Sequence, residues 1–167
     1  ILWTDLGPSA GPRHLDDRDG IEMVARFAQR APEIPVGIGM SIGSANGLDH
    51  GHLEQLERWW RRLRFPWHSD HLAFHLVEHD GAAMNIGITL PLARDRDMLE
   101  LLAPRVAEVR RRVPAPFLLE NNVYYFDIPQ QEMGEAEFLN ALCERSGCGL
   151  LLDLHNVYTN ARNHGFD

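Results

Sequence analysis

Three residues stand at the ends of expected strands. His71 follows Ser69-Asp70, Glu120 follows Phe117-Leu118-Leu119, and Asp153 follows Gly149-Leu150-Leu151-Leu152. A carboxylate at the end of a buried run needs a partner, because desolvating an isolated charge is costly. A metal ion is the economical partner, since mixed imidazole and carboxylate ligation suits iron, manganese or zinc. The chain holds nine histidines, so position, not residue type, singles out His71. Simpler partners compete with the metal. Arg105 or Arg110 could neutralise Glu120 and Asp153, although both sit on a helix expected to face away. Asp70 could cap a loop, and Asn121 and Asn156 are common turn residues. Three such groups at matching topological positions favour a shared cation.

Other chemistries lack their signatures. The chain has no Gly-x-Ser-x-Gly elbow, no Gly-Lys-Ser/Thr phosphate loop and no His-Glu-x-x-His pair. Gly37-Ile38-Gly39 supplies only the first two glycines of a dinucleotide fingerprint. Glu120 and Asp153 could in principle serve as a glycosidase carboxylate pair, but the neighbouring His and Asn residues suit a metal better. Trp59-Trp60-Arg61-Arg62 reads as a helix face with an apolar edge rather than a nucleic-acid platform.

The elements that must position these residues alternate between short apolar runs and longer runs of helical period. Strands are expected at Ile1–Leu6, Pro35–Met40, Trp67–Phe74, Phe117–Glu120 and Gly149–Leu152, with loop over Gly7–Gly20 and an extended excursion over Gly81–Leu92. Helices are expected over Ile21–Arg30, from Asp49 with the stripe Leu53, Leu56, Trp60 and Leu63, after Asp95 with the stripe Leu102, Val106, Val109 and Val113, and over Glu135–Arg145 closed by Gly147. About five strand–helix units imply a parallel sheet. Polar residues just past the strand ends suit the mouth of a (β/α) barrel. The fold expected is therefore α/β, a TIM-like (β/α) barrel that is incomplete in this chain, with residues 1–167 as one partial domain. A doubly wound open sheet is the alternative.

Composition bounds the partners. With 167 residues, 16 basic against 24 acidic groups and a net charge of -8, the surface repels phosphate backbones, so no nucleic acid is expected. No apolar run nears the ~18 residues of a membrane span, so no membrane is expected either. Cys143 and Cys148 read as small thiols in a reducing compartment. With no basic leader-like segment read at Ile1, a cytoplasmic setting is expected. The start without Met and the abrupt stop at Asp167 look cut.

Several strings, taken in order, resemble a known family: Ser41-Ile42-Gly43-Ser44-Ala45, Ser69-Asp70-His71-Leu72, Leu118-Leu119-Glu120-Asn121, Glu135-Ala136-Glu137-Phe138-Leu139, Gly147 to Asp153, and Asn156-Val157-Tyr158 with Asn163-His164-Gly165. From about Pro35 onward the chain resembles the multinuclear non-heme iron-dependent oxidative enzymes. The resemblance implies a TIM-like barrel related to the xylose-isomerase-like metal enzymes, with two or three iron ions at its mouth and dioxygen as co-substrate. It implies oxidation of cysteine, or of other residues, in ribosomally made precursor peptides, as in methanobactin maturation. A small partner protein that presents the peptide is also implied. Carried over by position, His71, Glu120, Asp153 and Asn156 would be metal ligands, with Glu120 able to bridge two irons. Asp70, Asn121 and His164 would support them.

Two departures qualify the resemblance. The family pattern has a His-Gly before the Ser-x-Gly-Ser string, and that His falls here on Val36, which cannot bind a metal. The ligands the family carries on later strands are absent from this chain, as expected of a fragment or of a degenerate member. Two other readings stay open: a metal-poor barrel remnant that binds a peptide or partner, and a mononuclear metal isomerase or hydrolase.

Overall fold

The structure is a computed structural model and describes residues 3–5, 13–15 and 18–166. The N-terminal part differs from expectation. Strand β1 (Trp3–Asp5) pairs antiparallel with β2 (Arg13–Leu15), a strand within the stretch expected to be loop, and helix α1 (Arg18–Phe27) begins three residues before the expected helix. Ile1, Leu2 and Leu6 of the expected first strand lie outside the described residues. Among the described residues β1 joins no parallel sheet, so four parallel strands stand where about five units are expected.

Those four strands are β3 (Val36–Gly37), β4 (His68–His71), β7 (Phe117–Glu120) and β8 (Gly149–Leu151), all parallel and hydrogen-bonded in the order β3-β4-β7-β8. Between β4 and β7 the chain makes an antiparallel hairpin, β5 (Phe74–His79) with β6 (Ala82–Leu90). The expected strand Trp67–Phe74 is thus two strands, broken at Leu72-Ala73, and the excursion over Gly81–Leu92 is the second arm of the hairpin.

Each crossover carries a helix with its own start and stop signals. In α2 (His50–Leu63), Asp49 accepts the His52 N–H at 2.9 Å, and Arg64 ends the helix in the left-handed region at φ 51°. In α3 (Arg96–Arg112), Asp95 accepts the Met98 N–H at 2.7 Å. Gly147 (φ 69°) closes α4 (Glu135–Ser146), where a side chain would be strained. The stripe on α3, Leu99, Leu102, Val106 and Val109, is sealed with Val113 beneath it, and packs with Phe117, Leu119, Phe138 and Leu142 into one core. Burying each large aliphatic side chain contributes roughly 1.5–3 kcal/mol.

The strand order follows the chain without reversal, and consecutive helices touch, α2 against α3 and α3 against α4. A doubly wound sheet reverses its strand order at a switch point and puts helices on both faces. The architecture is therefore the arc of a TIM-like (β/α) barrel. Strands β4 and β7 run in register, His68 opposite Phe117, Asp70 opposite Leu119 and His71 opposite Glu120. Alternate side chains point to opposite faces. Phe117 and Leu119 enter the helix-side core, so His68 and Asp70 share that side, while His71 and Glu120 share the other.

Candidate metal centre

His71 and Glu120 end neighbouring strands at the same level of the sheet. The His71 ring places Nδ1 3.1 Å from the Gly37 carbonyl oxygen and 3.9 Å from Glu120 Oε2. A carbonyl can only accept, so Nδ1 carries the proton and the Nε2 lone pair is left free. A backbone carbonyl holding one ring nitrogen is the usual way a metal-binding histidine is oriented. Glu120 is buried, and its Oε2 has no hydrogen-bond partner. Burial pushes its carboxyl above the ordinary value; His71 pulls it down and the Asp153 charge pushes it up again. A cation would satisfy the orphaned oxygen and favour the ionised form. One imidazole nitrogen and one needy carboxylate on adjacent strands fit a divalent iron, manganese or zinc ion.

Asp153 stands one strand further on, just past β8, where it caps a helix that the sequence reading did not anticipate, α5 (Leu154–His164). Its Oδ1 accepts the His155 and Asn156 N–H groups at 2.7 and 3.0 Å, leaving Oδ2 as the oxygen available to a cation. The Asn121 side chain clamps the Asp153 backbone, donating to its carbonyl at 3.1 Å and accepting its N–H at 2.7 Å. Asn156 Nδ2 donates to the Asn121 carbonyl at 2.9 Å. Together these bonds join the exit of β7 to the start of α5. His164 lies apart from His71 and Glu120. Its ring stacks on Tyr124 (4.4 Å between centroids), its Nε2 donates to the Tyr124 carbonyl at 2.9 Å, and its Nδ1 is 3.2 Å from Asp127 Oδ2.

Asp70 is on the opposite face from His71. It is buried beneath α2, accepts the Met40 N–H at 3.3 Å, and lies 3.9 Å from His52 Nε2. Burial raises its pKa to about 7, against the pull of the Met40 and His71 N–H groups and with a push from Glu120. The arginine alternative is not realised. Arg105 donates at 2.6 Å to both the Ile42 and Ser44 carbonyls, and Arg110 donates at 2.8 Å to the Ser146 carbonyl. Among the described residues, no three His, Cys, Asp or Glu side chains form a ready-made cage; of the expected ligands, His71 and Glu120 approach within 3.9 Å, and the Asp153 charge acts on Glu120. Val36 lies in register with Ser69, two residues before His71 in the strand, and therefore on the His71 face. It is exposed there.

A sequence profile for the family described as "RiPP precursor modification enzyme MbnB/TglH/ChrH" matches residues 15–167. The chain belongs to this family. A UPF0276 protein of Neisseria meningitidis serogroup C is 37% identical over 140 residues, covering 84% of this chain and 48% of the relative. UPF0276 proteins of Rhizorhabdus wittichii and Caulobacter vibrioides are 36% and 33% identical, covering 87% and 88% of this chain and 51% of each relative. The chain thus spans about half the length of the curated relatives it matches. An N-acetylneuraminate lyase from Mycoplasma synoviae superposes with a TM-score of 0.45 at 13% identity, over 90% of this chain and 43% of the lyase.

Two strings in this MbnB/TglH/ChrH family member prove to be packing devices. A Cβ on Gly37 would meet the Asp70 carboxylate at 2.4 Å, and one on Gly39 would meet the His52 ring at 2.6 Å. The two glycines let β3 and its exit close over Asp70 and α2, which explains their spacing without a nucleotide. In the Ser41–Ala45 string, Ser41 Oγ accepts the His75 and Leu76 N–H groups at 2.9 and 3.0 Å, while Ser44 Oγ donates to the Leu76 carbonyl at 2.6 Å. These serines fix the outer edge of β5 beside the mouth. His52, which faces Asp70, went unnoticed in the sequence; its place on the buried stripe with Leu53 and Leu56 was the available signal.

Proposed function

We propose that this chain forms part of an iron-dependent oxidative enzyme acting on cysteine, or on other residues, of a ribosomally made precursor peptide. The reaction uses dioxygen as co-substrate, a small partner protein presents the peptide, and the setting is the cytoplasm. The family description supports the substrate class. The observation that carries the chemistry is the buried, unpartnered Glu120 Oε2 beside a histidine whose Nε2 lone pair is free. In this reading His71 Nε2, the Glu120 carboxylate, Asp153 Oδ2 and Asn156 Oδ1 hold the metal, up to two or three ions with the remainder of the shell. Iron, when bound, supplies a redox couple able to carry electrons from a thiol to dioxygen.

The chain's own groups do the positioning. The Gly37 carbonyl keeps the His71 proton on Nδ1 and so keeps Nε2 aimed outward. The Asn121 clamp holds Asp153 beside Glu120, and the Ser41–Ser44 string holds the hairpin that walls the mouth. Glu120, whose carboxyl is raised by burial, releases its proton when a cation arrives, so metal uptake strengthens as pH rises.

Anaerobic reconstitution with ferrous ion, followed by oxygen uptake with a cysteine peptide, tests the proposal. It expects at least one iron per chain and thiol-dependent oxygen uptake. Val36 favours a second reading, because it puts a methyl-bearing side chain on the site face where the family pattern led us to expect an imidazole. In that reading the chain is a metal-poor barrel remnant that binds a peptide, and iron stays well below one per chain. Iron without oxygen uptake would instead point to a mononuclear isomerase or hydrolase.

A further inference from the structure

Next to the His71–Glu120 pair lies a small cleft of about 40 Å³ that includes Leu72, Arg94, Asn121, Asn122, Tyr124 and Glu135 in its walls. Leu72 directly follows His71 and Asn121 directly follows Glu120, so the cleft and the strand-end pair share the same two chain segments. Arg94 is held firmly. Its N–H donates to the Gln131 side chain, and its carbonyl accepts the Glu132 and Met133 N–H groups at 3.1 and 3.0 Å. Its guanidinium lies 5.7 Å from the Tyr124 ring, and its buried Nε has no hydrogen-bond partner. No carboxylate among the described residues comes within ion-pair distance of it. Glu135 shares the cleft; burial raises its pKa and the Arg94 charge lowers it, so the two groups interact across the cleft without an ion pair. Arg105, by contrast, is committed to the Ile42 and Ser44 carbonyls. A half-buried guanidinium that hydrogen-bonds Tyr124 and keeps its Nε donor unused, beside an apolar floor, is matched to a planar anion.

We propose that this cleft is a carboxylate subsite, in which Arg94 binds a carboxylate of the peptide whose neighbouring residue is presented to the His71–Glu120 face. The assignment of a peptide ligand rests on the proposed function above; the carboxylate chemistry rests on Arg94 alone. The carboxylate comes either from the end of a peptide or from an acidic side chain.

The test titrates the metal-free chain by NMR with two pairs of probes: N-acetyl-cysteine against its amide, and acetyl-Cys-Asp-amide against acetyl-Cys-Asn-amide. The acid member of at least one pair should bind about 10-fold more tightly than its neutral partner, the size of one charge-assisted contact. The pair that shows the preference identifies the source. Arg94→Gln should erase the preference and Arg94→Lys should keep part of it. Equal binding of acid and neutral probes in both pairs, or a preference that survives Arg94→Gln, would overturn the subsite. If Arg94→Gln does not fold, the acid-against-neutral comparison on the parent chain, repeated at high salt, still decides: a preference that salt does not weaken counts against Arg94. No metal is present, so a failure of the iron chemistry leaves this result untouched, and a chain that binds iron but shows no acid preference overturns only the cleft.

Discussion

The strand ends of β4 and β7 and the junction between β7 and α5 lie within a few residues of each other, yet they treat their polar groups in opposite ways. At the junction most polar groups bond within the protein: Asn121 bonds both ways to the Asp153 backbone, Asn156 Nδ2 closes on the Asn121 carbonyl, and Asn160 accepts the Tyr124 N–H and donates to the Asn122 carbonyl, leaving Asp153 Oδ2 and Asn156 Oδ1 to face the strand ends. At the strand ends, Glu120 Oε2 has no partner and His71 keeps a free lone pair. Buried polar atoms in folded proteins are nearly always satisfied. A satisfied cluster therefore reads as structure, and an unsatisfied one that can be reached reads as a site awaiting a ligand. His68 shows why access matters. Both its ring nitrogens lack partners, but the ring is sealed at 1% exposure, stacked on Phe117 (4.8 Å) and edge-on to Phe65. Burial holds its pKa down to about 4, so it stays a neutral core ring.

Substitutions on the two sides should separate cleanly. The largest effect is expected from Glu120→Ala, which removes the unsatisfied carboxylate. Iron affinity, measured by equilibrium dialysis of the reconstituted chain, should fall by more than ~100-fold, beyond what loss of an outer-shell partner causes, while the melting temperature holds or rises. Val36→His should work the other way, placing an imidazole on the His71 face and raising iron affinity roughly 10-fold or more.

His68→Phe sharpens the contrast through pH. The folded chain keeps His68 neutral to about pH 4, while the unfolded ring protonates near its ordinary ~6.5. Its contribution to stability is whole above that value and is lost as pH falls through the window, on the order of 3 kcal/mol. Asp70 opposes it. With a pKa raised to about 7, its contribution is whole at low pH and is lost as pH rises toward 7. Denaturant titrations of the variant should therefore gain on the parent steadily from pH 6.5 down to 4, and a constant offset would contradict this account of His68. The smallest effect belongs to the satisfied side. Asn121→Ala should cost about 2 kcal/mol of stability through two lost bonds in a buried setting, with iron affinity lowered far less than by Glu120→Ala.

The same contrast explains what could be read in advance. Helices capped by Asp49 and Asp95, and the strand ending at Glu120, were legible because caps and apolar periodicity are local signals. The break at Leu72-Ala73 was not, because Leu72-Ala73-Phe74 carries no turn residue and the turn there is imposed only by tertiary contacts with Ser41 and the Glu120 carbonyl. Helix α5 was missed because Asp153 was weighed as a ligand and not as an N-cap, although Gly165 marks the end of that helix. Asp70 was grouped with His71 by adjacency, whereas the two-residue period of a strand sends neighbours to opposite faces. Arg94 carries no sequence signal; only its enclosure beside Tyr124 makes it notable.

The most direct measurement is a crystal structure of the ferrous-loaded chain with anomalous scattering recorded at the iron edge. The account predicts an iron peak within bonding distance of both His71 Nε2 and a Glu120 oxygen, with the Gly37 carbonyl still holding Nδ1. An iron peak bound elsewhere, or none with the Glu120 carboxylate turned to a protein donor, would contradict it.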